Sequence, residues 1–150
     1  GVTHIGVMGF SAGGHLASTA ATHYVDAATR PDFQILVYPV ITFEKPYRHN
    51  GSVYGLLGEN PSQEMLDLYS NQKQVTPDTP PAFILAASDD WLVPVKNSLL
   101  YYEALIENKV SVSMHIYPTG GHGFGWGDNY IYKSEWSAEL ERWLNTVVLR

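Results

Sequence analysis

The stretch GVMGFSAGGHLAS, residues 6–18, constrains this chain more than any other. An apolar run ending at Met8 meets Gly9-Phe10-Ser11-Ala12-Gly13-Gly14 and passes into His15-Leu16-Ala17-Ser18, which reads as helix. A strand that becomes a helix within two or three residues must turn sharply. A serine in that turn is forced into an unusual backbone conformation that lifts its oxygen clear of the sheet. Side chains at the flanking positions are expected to collide, which accounts for Gly9 and Gly13. The helix that follows aims unpaired N–H groups at the serine, and the Ala12 N–H is the expected donor to a developing oxyanion. The alternative reading is a glycine-rich helix start in which Ser11 is an ordinary N-cap.

The rest of the chain supplies the context for that turn. Residues 2–10 read as a strand buried on both faces, 11–25 as a small-residue helix, and 33–40 as a second buried strand ended by Pro39. Residues 41–60 read as loop. A short helix is expected over 60–70, with Asn60 as cap and Pro61 at its first position. A proline-rich linker, 76–83, leads to a third strand at 82–88. Residues 93–109 read as an amphipathic helix starting at Pro94, 110–118 as a fourth strand, and 132–149 as a closing helix with Trp136, Leu140, Trp143 and Val147 on one face. Strands alternating with helices predict an α/β fold with a parallel sheet and flanking helices.

A serine hydroxyl attacks only when a base removes its proton. His122, in the glycine-rich YPTGGHGFGWG that follows the fourth strand, stands at the carboxyl end of the sheet, where parallel sheets hold their ligands. It is the candidate base; the remaining histidines read as structural, although His15 lies close to Ser11. The base needs an orienting acid. Asp89 and Asp90 follow the third strand, and Asp90 is preferred, with Asp89 expected to make loop hydrogen bonds. Trp91, Phe124 and Trp126 flank the acid and the base and are candidates for a substrate wall, or else they pack the loops. No pair of histidines has the spacing of metal ligands.

Composition narrows the function further. The net charge is −6, with no basic stripe, so a nucleic-acid partner is not expected. No apolar run approaches the roughly 18 residues of a membrane-spanning helix. The chain has no cysteine, which excludes a cysteine nucleophile and thiolate metal sites.

GFSAGGHLAS, TPDTPPAFILAASDDWLVP, NSLLYYEAL and HIYPTGGHGFG together resemble the C-terminal half of an α/β-hydrolase of the acetyl esterase group, nearest to carbohydrate esterases that deacetylate xylan. The resemblance implies Ser11 as nucleophile, Asp90 as orienting acid and His122 as base and acid, acting on a small-molecule or oligosaccharide ester without cofactor or metal. It implies that residues 1–150 are the C-terminal portion of one domain, truncated at the N-terminus. The strands that flank residues 3–8 in that family, and the His-Gly-Gly-type loop that gives a second oxyanion N–H, fall outside this sequence. The first strand is then expected to have an unpaired apolar edge, open to pairing with another chain. The resemblance also points toward a secreted or periplasmic setting. Two alternatives remain at this level: a serine peptidase of the prolyl-oligopeptidase kind, which has a bulky aromatic where this chain has Ala12, and an inactive fragment that needs its missing half.

Overall fold

The computed structural model describes residues 1–149. Four strands, β1 (Val7–Phe10), β2 (Gln34–Val37), β3 (Ala82–Ala87) and β4 (Val112–Tyr117), form a parallel sheet in the order β1-β2-β3-β4. Between and after them lie α1 (Ala12–Thr22), α2 (Asn50–Leu57), α3 (Gln63–Leu68), α4 (Lys96–Glu107) and α5 (Lys133–Trp143). The α/β architecture with flanking helices is the one the alternating pattern predicts.

Side chains alternate across a strand, so the two inner strands feed two separate cores. Leu36 of β2 and Ile84 of β3 pack with Ala17 of α1 and with Tyr101 and Leu105 of α4. Ile35, Val37, Phe83 and Leu85 point the other way, onto Trp136, Leu140 and Trp143 of α5. Each large apolar side chain taken out of water here contributes about 1.5–3 kcal/mol. Gln34 is the one polar member of β2, and it is fully buried. Its amide donates to the Pro80 carbonyl at 3.0 Å, and its oxygen accepts from the Tyr101 hydroxyl at 3.0 Å. A buried amide paired on both sides costs little, which is why it is tolerated inside the sheet.

Several local expectations are corrected. The first strand is neither nine residues long nor buried on both faces. Val7 pairs with Gln34, the first residue of β2, so residues 2–6 extend past the ladder. Val2 is 82% exposed, Ile5 68% and Met8 40%. Within residues 41–60 the chain is not all loop: α2 forms there, capped by the His49 side chain, which accepts from the Ser52 N–H at 3.2 Å. Histidine is outside the usual capping set, and Gly51 and Gly55 dilute helix propensity, so the pattern hid this helix. The next helix starts later than expected. Ser62, not Asn60, is its cap and accepts from Met65 N at 3.3 Å. The closing helix runs regularly only to Trp143 and then widens into a π turn over Leu144–Val148.

Candidate active site

All the chemistry-bearing loops leave from the carboxyl ends of the four strands, because parallel strands put those ends together. Ser11 follows β1 directly. Its backbone lies at φ 54°, ψ −121°, a region that L residues rarely occupy. The main-chain carbonyl of Ser11 accepts from Gly14 N at 2.9 Å, His15 N at 3.3 Å and Val40 N at 3.0 Å, and its own N–H donates to Val37 O. These bonds to α1 and to the segment after β2 hold the strained turn. The Ser11 side chain makes no capping bond to the helix. Its Oγ lies 2.7 Å from His122 Nε2, which separates this serine from an ordinary N-cap.

The glycine expectation is half corrected. A Cβ on Gly9 would sit 2.0 Å from the Gly13 carbonyl oxygen, so no side chain fits there. A Cβ on Gly13 meets nothing within 4 Å. The second collision is one residue on, where a Cβ on Gly14 would lie 2.6 Å from Pro39 Cβ. The Gly13 backbone passes under Gly9, where no side chain fits, and Gly14 lets α1 pack against Pro39, just after β2.

Asp90 and His122 complete a chain of hydrogen bonds. His122 Nδ1–H donates to Asp90 Oδ2 at 2.7 Å, and the two side chains are 10% and 2% exposed. The other carboxylate oxygen, Oδ1, accepts from Leu92 N at 3.0 Å and Val93 N at 2.9 Å, so the carboxylate cannot swing away. A proton fixed on Nδ1 leaves the Nε2 lone pair facing the Ser11 hydroxyl. Asp89 does something else. Its Oδ1 accepts from the Gly121 N–H at 2.7 Å and so ties down the loop that carries His122. Gly121 at φ 59° and Gly123 at φ 90° on either side let that loop turn the imidazole toward Ser11.

Tyr38 is a residue that the sequence pattern missed. It follows β2 at φ 38° and is buried, with its ring 4.8 Å from the His122 ring and 4.7 Å from Phe124. Burial pushes its hydroxyl pKa up, a hydrogen bond with the Gly125 backbone lowers it, and nearby Asp90 raises it. The tyrosine therefore stays protonated and forms one side of the imidazole's seat. The available signal was position alone: Tyr38 stands at the carboxyl end of the strand paired with β1.

The three aromatic wall candidates are placed differently. Trp91 is 78% exposed, and its indole nitrogen is 3.6 Å from where a Gly121 Cβ would stand. Phe124 stacks on Tyr130 at 4.2 Å and packs inward, and Trp126 rests on Trp136 of α5 at 4.2 Å. His15 stacks on Phe43 and donates from Nε2 to the Tyr69 carbonyl at 2.8 Å. It is therefore occupied in packing α1. Among the described residues no group of histidine and acidic side chains has a metal-holding arrangement.

A family profile described as alpha/beta hydrolase fold matches residues 1–125. The chain belongs to the α/β-hydrolase family. It is 40% identical over 147 residues to an acetylxylan esterase of Xylanibacter ruminicola, covering 95% of this chain and 30% of that protein. It is 42% identical over 141 residues to endo-1,4-beta-xylanase B of Butyrivibrio fibrisolvens, covering 87% and 22%. Among solved α/β-hydrolase structures, an acetyl ester-xyloside bifunctional hydrolase from Caldicellulosiruptor lactoaceticus superposes with a TM-score of 0.88 at 41% identity, covering 95% of this chain and 56% of that one. The α/β-hydrolase chain thus spans less than a third of the two curated relatives and little more than half of that structure.

Proposed function

We infer that the chain carries the nucleophile, base and orienting acid of a serine carboxylic-ester hydrolase that removes short acyl groups, acetyl above all, from carbohydrate such as xylan. One observation carries the reading: the His122 ring bridges Ser11 and Asp90, with Ser11 Oγ to Nε2 and Nδ1 to Asp90 Oδ2 both at 2.7 Å. The activities for which the relatives are named, acetylxylan esterase and acetyl ester-xyloside hydrolase, support the acyl group and the sugar.

In this reading Ser11 Oγ attacks the ester carbonyl as its proton passes to His122 Nε2. Asp90 holds the imidazole tautomer and stabilises the imidazolium. The oxyanion that forms takes a hydrogen bond from the Ala12 N–H, which is the first N–H of α1 and has no preceding helical turn to receive it. The C–O bond to the sugar breaks, and the sugar oxygen leaves with the proton from His122. Water then attacks the acyl-serine, giving its proton to His122, and carboxylic acid and free Ser11 result. Trp91, exposed beside Gly121, is the wall candidate best placed to touch the substrate. No step needs a metal or an organic cofactor.

The test is hydrolysis of p-nitrophenyl acetate and of acetylated xylan by the intact protein and by Ser11→Ala. Loss of about a thousandfold or more in turnover on both substrates is expected. Equal rates for the two proteins would refute the assignment.

A further inference from the structure

The inference concerns the groove between α1 and α2 and rests on the esterase reading above. The groove has a volume of about 640 Å3, within the range of small-molecule sites. Ala12 is one of its walls, so it opens one residue from Ser11. Leu16 on α1, Leu56 on α2 and Tyr69 give apolar surface. None of the residues that line it is Asp, Glu, Lys or Arg. Such walls offer an ionised ligand no Asp, Glu, Lys or Arg partner, and so favour a neutral one.

Two polar side chains in the groove have a definite hydrogen-bonding sense. His49 Nδ1 accepts from the Ser52 N–H at 3.2 Å and faces Ser52 Oγ at 2.9 Å. A nitrogen that accepts from an amide has its lone pair there, so in the neutral ring the proton is on Nε2. Among the described residues nothing accepts from Nε2, and His49 therefore offers a donor. The Ser52 hydroxyl, donating to His49, keeps lone pairs to accept with. A donor and an acceptor beside an aromatic ring and two leucines match a sugar, whose ring has apolar C–H faces and a rim of hydroxyls.

The size argues for the same ligand. An acetyl group would fill only a small part of this space, whereas the alcohol half of a sugar ester would use it. We propose that the groove between α1 and α2 is the subsite for neutral sugar rings on the alcohol side of the scissile ester, with Leu16, Leu56 and Tyr69 against the ring faces and His49 and Ser52 on the hydroxyls.

The test uses the intact protein carrying Ser11→Ala, which cannot turn over, with xylotetraose as probe in isothermal titration calorimetry. Two second substitutions block the groove from opposite walls. Leu16→Trp works from a side chain that is 71% exposed, and Gly55→Phe from a position where an added Cβ meets nothing within 4 Å. Each is expected to weaken xylotetraose binding at least tenfold, while Ile106→Trp, on the exposed side of α4, leaves it unchanged. Undiminished affinity in both groove variants, or no binding by the Ser11→Ala protein at millimolar xylotetraose, overturns the proposal.

With Ser11 in place, Leu16→Trp is expected to lower kcat/KM for acetylated xylo-oligosaccharide, relative to p-nitrophenyl acetate, at least tenfold. A loss confined to p-nitrophenyl octanoate relative to the acetate would assign the groove to the acyl chain and overturn the proposal. Failure of the esterase reading shows separately, as hydrolysis that survives Ser11→Ala. The binding measurement does not depend on hydrolysis.

Discussion

Asp89 and Asp90, neighbours in the chain, hold the His122 loop at two different points. Asp90 accepts from the imidazole itself and Asp89 from the backbone N–H of Gly121, each at 2.7 Å. One carboxylate sets the ring and the other sets the loop that carries the ring. Their burial follows their tasks, since Asp90 is buried while Asp89 stands at the surface.

The two acids should therefore fail differently. Asp90→Asn removes the charge that fixes the tautomer, and turnover is expected to fall about 10^3- to 10^4-fold. Asp89→Ala frees Gly121 and is expected to lower kcat roughly tenfold, because small misplacements of a reacting group are costly. Asp89→Asn, whose amide oxygen still accepts, should recover most of that loss. Steady-state kinetics on p-nitrophenyl acetate for the three variants checks the division, and equal losses in Asp89→Ala and Asp89→Asn would refute it.

The glycines of the turn make a second contrast. Gly9→Ala drives a methyl group into the Gly13 carbonyl, and the expected cost is about 3 kcal/mol with loss of activity. Gly13→Ala has open space around the new methyl and is expected to change stability by under about 1 kcal/mol. Thermal unfolding of the two variants beside the parent decides between them.

Asn97, fully buried at the start of α4, carries four hydrogen bonds. Its oxygen accepts from Ile41 N and Thr42 N, and its amide donates to the carbonyls of Tyr47 and Pro94. Asn97→Ala strands two buried N–H groups, so a loss of about 3 kcal/mol is expected in urea unfolding. Pro94 is close in sequence to the Asp90 turn, so part of the loss should also appear in kcat.

His15 gives the protein an acid-sensitive point. Burial is the main cause that holds its pKa below the usual 6.5; the hydrogen bond to the Tyr69 carbonyl pulls up, and nearby His23 pushes down. The unfolded chain then binds the proton more readily than the folded one. Stability from this group is intact above 6.5 and is lost as pH falls from 6.5 toward the lowered value. His15→Gln, which can still donate to Tyr69, should flatten the fall in Tm between pH 6.5 and pH 5. An unchanged slope would show that other groups carry it.

The sequence made much of this legible, for identifiable reasons. Ser11, Asp90 and His122 each follow a strand with a clear apolar pattern, and in a parallel sheet such positions converge without further information. The missed features depend on contacts across the chain. Tyr38 matters because its ring meets His122, and nothing around Tyr38 in the sequence announces that. Helix α2 starts on a histidine cap that only a side-chain contact reveals. The exposure of residues 2–5 follows from where β2 begins, and a strand's own pattern does not contain its partner's register.

The parallel ladder has a consequence for how this molecule can change. Ser11, Tyr38, Asp90 and His122 are anchored within a few residues of four strand ends whose mutual positions are set by backbone pairing. Helix α2 hangs on a long excursion between β2 and β3 that adds no strand to the ladder. The α2 wall of the proposed sugar groove therefore sits on a part of the chain mechanically separate from the proposed reacting groups. Insertions and substitutions in that excursion are expected to change the α2 wall of the proposed groove while the Ser11, Asp90 and His122 side chains keep their spacing.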